Sequence, residues 1–438
     1  MQIDAASGSG TDQERLEDAV TAYGGEVVRV QDRHVRVENS AINSHQNWLS
    51  HSGKGSEHTR TIGKVTDLLE SLRPSGAVAG LENSPDETVA WHFGDPFGEQ
   101  RAATTSAAVI DRSHRGVIAL TGDERLSWLN TISSQFVTDL ADGHSAENLS
   151  LDGNGRVEDH FVLTELDQTT WIDTEAQRAE PLAAFLQKMV FWAKVEVAPR
   201  PDMAVLTLVG PATRTGAIAQ LLQIPNEASV YDAGALPDGG FWRVMPALGE
   251  HASIETIDLI VPTDQLIGWW SSLTAVGARP AGMWTYEALR VPSLRPRLGI
   301  DIDERTIPHE VNWIGSPDEL GAVHLNKGCY RGQETVARVH NLGKPPRQMV
   351  LLHLDGSAEH RPATGDPVTV GGRAVGRVGT VVDHFEYGPI ALALVKRGIP
   401  ADTQLDIGGA SAAIDPSSVP ADDRVQAGRA AIDKLKGR

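Results

Sequence analysis

The chain repeats one pattern three times. "GVIALTGDERLSWLNTIS" (116–133), "AVLTLVGPATRTGAIAQLLQI" (204–224) and "IDLIVPTDQLIGWWSSL" (257–273) each pass from an apolar strand through a Gly or Pro turn into helical spacing. In the first, Leu126, Leu129 and Ile132 share one helical face. In the second, Gly210-Pro211 sets Pro211 near the first turn of the following helix. No phosphate-loop consensus and no Gly-rich dinucleotide fingerprint accompanies these strands. The repeat therefore predicts α+β layers rather than a nucleotide-binding parallel sheet.

At 438 residues, the length points to two to four domains of roughly 100–200 residues. Residues 1–75 read as an N-terminal extension. Thr11 and Glu14 form a capping box, Leu16, Ala19, Val20 and Tyr23 recur at helical spacing, and a polar linker follows. His45, His51 and His58 in that linker read as a solvated loop, not a metal site. Ile62, Val65, Leu68, Leu69 and Leu72 mark a further helix, ended by Pro74. Residues 76–345 hold the three strand–helix units and "LSLDGNGRVEDHFVLTEL", whose alternating apolar residues flank Asp-Gly and Asn-Gly turns in a β-hairpin signature. Residues 346–415 carry five or six short strands and predict a small β-barrel; 416–438 are a basic tail.

The net charge of -19 disfavours nucleic acid and anionic membrane as partners. No apolar run approaches the roughly 20 residues that span a bilayer, and the start lacks signal-peptide character. A single cysteine excludes an internal disulfide framework, so a cytoplasmic location is expected. "HEVNW" places Trp313 where a zinc-protease helix needs its second histidine, and Asp301, Asp303 and Glu304 in "GIDIDERT" read as a solvated loop; no metal ligands are assigned.

The lone thiol sits in "HLNKGCYRGQETVARVHN" (324–341), within a basic island of Lys327, Arg331, Arg338, Lys344 and Arg347 opposed only by Glu334. Gly328 and Gly332 permit backbone conformations closed to other residues. Lys327 and Arg331 are placed to stabilise a thiolate at Cys329. A small anionic ligand suits such an island; plain packing of the cysteine is the alternative.

"KGCYRGQE" followed by "TVARVH" resembles the signature of the YgfZ family of folate-binding proteins, relatives of the aminomethyltransferase (T-protein) of the glycine cleavage system. The likeness extends through "VIDRSHRGVIALTGDERLSWLNTISSQ", "LDGNGRVEDHFVL", "YEALRVPSLRPRLGIDIDERTIPHE" and "GDPVTVGGRAVGRVGT", from about residue 76 to 415. It implies a three-domain cloverleaf resembling aminomethyltransferase, a C-terminal small β-barrel, and tetrahydrofolate or a one-carbon derivative bound in a central hole. It also implies support of iron–sulfur cluster assembly or repair in client proteins. The motif carries over onto Lys327, Gly328, Cys329, Tyr330, Gly332, Gln333 and Glu334. The pterin-contacting acid of the transferases corresponds to Asp159, with Glu158 beside it, and their paired aspartates are replaced by "EDH". Arg290 and Arg331 are candidates for the folate carboxylates, as are Arg338 and Arg347. Arg243 and Glu250 stand nearest the transferases' Gly-Tyr-Thr-Gly-Glu stretch. Cys329, Lys327 and Asp159 are the expected catalytic set. The thiol has three candidate roles: holding a one-carbon adduct, ligating iron transiently, or redox exchange. An aminomethyltransferase or demethylase, and a non-catalytic scaffold, are the rival functions.

Overall fold

The computed structural model describes residues 66–419, all within one compact unit. The readings for residues 11–23, the linker histidines, Ile62, Val65 and the tail beyond 419 lie outside them. The α+β expectation holds: among the described residues, three large sheets, each with its own core, are joined by helices and by a two-stranded ribbon of Val78–Ala79 and Ala90–His92.

The largest sheet runs in the order Ala233–Ala235, Phe241–Leu248, Ile254–Pro262, Met203–Val209, Ala108–Asp111, Arg279–Ala281. Only its last pair is parallel. Helices Thr66–Leu72, Gly216–Leu222 and Leu266–Ala275 cover one face, burying Leu68, Leu222, Trp269, Trp270 and Leu273 on Leu206, Leu208, Ile257 and Leu259. Each such side chain contributes about 1.5–3 kcal/mol. The second helix starts at Gly216 rather than beside Pro211, because turns closed by Thr213 N–H on Gly210 O and Thr215 N–H on Ala212 O intervene.

The second sheet is antiparallel: His144–Leu151, Val157–Leu166, Thr169–Thr174, Gly116–Thr121, Glu196–Pro199. Its first two strands are the hairpin read from the Asp-Gly and Asn-Gly turns. Helices Arg125–Ile132 and Ala176–Met189 lie on one face, over Ile118, Leu120, Phe161, Leu163 and Ile172. On the other face, Leu149, Leu151 and Val157 meet Val311, Trp313, Tyr330 and Val336.

The third sheet closes as a barrel of Arg347–Leu354, Gly388–Lys396, Arg373–His384, Pro367–Val370, Leu405–Ile407 and Ala410–Ile414. Strand alternation serves two cores at once: Val350 and Leu352 fill the barrel, while Met349 and Leu351 face the hairpin's cluster.

Buried ion pairs tie these lobes together. Arg290 donates to Asp301 at 2.8 Å, to Thr380 Oγ1 on a barrel strand at 2.6 Å, and to Glu287. Asp301 also accepts Thr380 N–H at 2.7 Å. The acids of "GIDIDERT" thus divide their roles: Asp301 is buried in this knot and Asp303 pairs with Arg347 at 2.6 Å, so neither lies in the solvated loop expected from sequence. Arg297 is the hub, held by Asp86 at 2.9 Å, Glu175 at 2.8 Å and Glu287 at 3.0 Å. Arg297→Met would leave those carboxylates short of a counter-cation. The expected loss is about 3–5 kcal/mol of stability, seen as a lower urea midpoint.

Candidate active site

Where the sheets converge, a cavity of about 60 Å³ is lined by arginines 112, 115, 243, 290, 295 and 297 together with Glu147, Glu175 and Asp258. Almost every charge is matched. Arg243 bridges Asp173 at 2.6 Å and Asp258 at 2.8 Å, and Arg115 bridges Asp173 at 2.6 Å and Glu175 at 3.1 Å. These guanidiniums hold Asp173 and Glu175 well below the usual carboxylate range, although burial alone would raise them. Arg243, expected only as a stand-in, is therefore a wall of the cavity, whereas Glu250 is exposed and accepts the Tyr387 hydroxyl from the barrel.

One wall is aromatic and acidic. His160 stacks on Trp313 with ring centroids 4.7 Å apart and planes 7° from parallel. Its Nε2 lies 2.8 Å from Glu147 Oε2. Glu147 also accepts from the Tyr231 hydroxyl at 3.0 Å and from Arg295. Burial pushes the Glu147 pKa up, but Arg295, His160 and Tyr231 together bring it down to about 2, so it stands ionised. Tyr231 adopts φ +71°, a left-handed conformation that places its ring at this carboxylate.

The residues assigned from sequence distribute differently. Arg290 does line the cavity. Asp159 does not. It projects from the opposite face of its strand and accepts from Arg178 Nε of helix Ala176–Met189 at 2.8 Å; burial raises its pKa. From this hairpin the carboxylate that lines the cavity is Glu147, on the neighbouring strand. Glu158 and Arg331 pair with each other at 2.7 Å on the surface. Arg347 is held by Asp303 and Glu310, and Arg338 and Glu334 are exposed. The basic island is thus largely consumed by internal partners.

The cysteine segment packs beside the hairpin turn, and Cys329 itself is exposed and not among the cavity-lining residues. Gly332 has φ +84°, and a Cβ there would sit 2.7 Å from Asp152 O and 2.8 Å from Gly155 Cα. Only glycine allows this approach. Gly332 is then the N-cap of helix Gln333–Leu342. Gln333 Nε2 donates to Lys327 O at 3.2 Å, so it braces the loop. Gly328 is exposed with open space at its Cα. Tyr330 is buried in the hairpin's apolar cluster, and burial pushes its phenol up to about 12.

Lys327 has a different task from the one its position beside Cys329 suggested. Its ammonium donates to the carbonyls of Asn130, Ser133 and Gln135, each at 2.7 Å. All three donors are spent on the end of helix Arg125–Ile132 and the turn after it. Burial draws its pKa down to about 7.

Residues 90–314, just over half of the chain, match the GCVT N-terminal domain family. The chain belongs to that family. Among curated relatives, an aminomethyltransferase of Stenotrophomonas maltophilia is 26% identical over 73% of this chain and 85% of its own. One from Nitrosococcus oceani is 26% identical over 85% of this chain and 97% of its own. The crystal structure of glycine cleavage system aminomethyltransferase T from Bartonella henselae superposes with a TM-score of 0.68 at 18% identity, covering 80% of this chain and 97% of that one. The fold is therefore aminomethyltransferase-like, with the C-terminal six-strand barrel that the sequence predicted. Among the described residues, no helix is long and apolar enough to cross a membrane, and no group of three acidic, His or Cys side chains is placed to hold a metal ion.

Within this GCVT-family chain, the residues missed by sequence reading are Glu147, His160, Trp313, Arg115, Arg295 and Arg297. Glu147 and Asn148 sit in strand His144–Leu151, buried from Ser145 onward, a placement rare for Glu without a paired charge and one that the polar run "HSAENLSL" does not itself announce. Two outcomes are expected. Lys327→Met orphans three carbonyls and should lower stability by at least about 2 kcal/mol in urea titrations. Glu147, held at about 2 against 4.5 when free, contributes stability that is complete above pH 4.5. That contribution, on the order of 3 kcal/mol, should be lost as pH falls toward 2. Glu147→Gln should flatten that part of the stability–pH profile.

Proposed function

We propose that this chain binds tetrahydrofolate, or a one-carbon derivative of it, in the central cavity. We propose further that it serves as a cytoplasmic YgfZ-type accessory protein that supports iron–sulfur clusters in client enzymes. The observation that carries the folate reading is the wall formed by Trp313, His160 and the ionised Glu147, facing a rim of arginines. A pterin needs a flat apolar surface and a carboxylate to accept from its N–H edge, and the folate tail needs cationic partners. Trp313 and Glu147 meet the first need, and the half-buried Arg295 stands at the rim for the second. When bound, a reduced folate supplies the nitrogens that carry a one-carbon unit. The cavity at about 60 Å³ is smaller than a pterin. Entry therefore requires the half-buried His160, Met245, Tyr286 and Arg295 to move apart.

The iron–sulfur reading rests on the resemblance of "KGCYRGQE" and on an exposed thiol held on a braced loop, where a protein partner can reach it. A free exposed cysteine suits a reducing compartment. A second reading, one-carbon transfer to tetrahydrofolate from a small methylated amine, draws support from the relatives named aminomethyltransferases.

Calorimetry with tetrahydrofolate tests the first reading. Binding should weaken about tenfold in Glu147→Gln, a change of about 1.4 kcal/mol, and stay unchanged in Cys329→Ser. Absence of binding to the wild type would leave only a scaffold role. Cys329→Ser should fail to restore iron–sulfur enzyme activities in a deletion strain while remaining folded; full rescue removes the thiol from the function. Formation of methylene-tetrahydrofolate from an aminomethyl donor would establish the transferase reading instead.

A further inference from the structure

Arg112 differs from every other arginine of the cavity in how its donors are used. Arg115, Arg243, Arg290, Arg295 and Arg297 each grip at least one carboxylate within 3.1 Å or closer. Arg112 reaches Asp258 only at 3.5 Å and Thr207 Oγ1 at 3.3 Å, both from Nη1. That carboxylate is already engaged: Asp258 accepts from Arg243 at 2.8 Å and from Thr207 at 2.6 Å. The Nε of Arg112 is buried with no hydrogen-bond partner, and the residue is 7% exposed. Its neighbours Asp111 and Ser113 also carry buried oxygens without partners, so the unmatched polar atoms cluster on one short run.

The guanidinium is nevertheless fixed. Its Cζ lies 4.1 Å from the centroid of the Tyr286 ring. Stacking of this kind holds the plane without consuming an N–H donor. A pre-oriented, desolvated guanidinium edge with spare donors is the arrangement that takes a carboxylate in a fork. Burying such a cation with only two long contacts costs stability unless a ligand completes it.

We propose that Arg112 is the anion-recognition point of the cavity and that it takes the carboxylate of a small monocarboxylate ligand. The free space of about 60 Å³ admits roughly a handful of waters or one small organic group. It sets the size class for the closed cavity: a carboxylate bearing only a few further heavy atoms fits beside Arg112 without the wall movements that folate entry requires. This inference rests on the reading that the cavity is a ligand site. It names a second occupant there, distinct from the folate.

The test is calorimetric titration of the full chain with acetate and, as the neutral isostere, acetamide. Acetate should bind the wild type and acetamide should not. Arg112→Met, verified as folded by circular dichroism, should bind acetate at least about tenfold more weakly. Retained acetate affinity in the variant overturns the proposal. So does equal affinity for acetamide, or no acetate binding to the wild type; these two outcomes need no variant. Tetrahydrofolate is titrated separately on the wild type. Acetate binding without folate binding defeats the folate reading and leaves Arg112 in its role; folate binding without acetate binding does the reverse.

Discussion

The structure depends on a buried lattice of arginines and carboxylates that no lobe can complete alone. Arg297 joins Asp86, Glu175 and Glu287; Arg115 and Arg243 share Asp173; Arg290 reaches the barrel through Thr380. Removing so many charges from water is costly, and the cost is offset only where geometry and hydrogen bonds match. The lattice also explains why a hollow survives at the centre of a well-packed protein. Hydrophobic side chains would have slid together, whereas guanidiniums locked edge-on to their partners hold a fixed spacing. A preorganised polar cavity follows from the same interactions that join the lobes.

Much of the architecture was legible in the sequence because it is written in short-range patterns. The three strand–turn–helix phrases, the Asp-Gly and Asn-Gly hairpin and the run of short barrel strands all rest on local spacing. The lattice is not local. Arg297 and Asp86 lie far apart in the chain, and each looks like an ordinary solvated charge. Asp159 shows a subtler failure. Counting alternate residues puts Val157, Asp159 and Phe161 on one face. A register shift opposite Ser150 and Leu151 skips Glu158, so Val157 joins one core while Phe161 and Asp159 turn to the helices on the other. One extra residue exchanged the expected carboxylate for Glu147.

The motif that made the sequence recognisable has a large structural share. Lys327 ends a helix from another part of the chain, Tyr330 fills the cluster under the hairpin, and Gln333 ties the loop to itself. Those residues hold the loop in place, and the thiol is what the loop presents. The molecule so read has two separate faces: an interior chamber built from arginine, glutamate and tryptophan, and an outward sulfur on a braced loop.

The contact of Gly332 with Gly155 makes those two faces mechanically dependent. With no side chain on either residue, the loop and the hairpin turn meet backbone to backbone, leaving no compressible layer between them. The strand that feeds this turn also carries His160 and the partner edge for Glu147. The cysteine loop therefore takes its position directly from the strand pair that carries one wall of the chamber. A spacer of even one methyl group at Gly332 would force the loop and the turn apart.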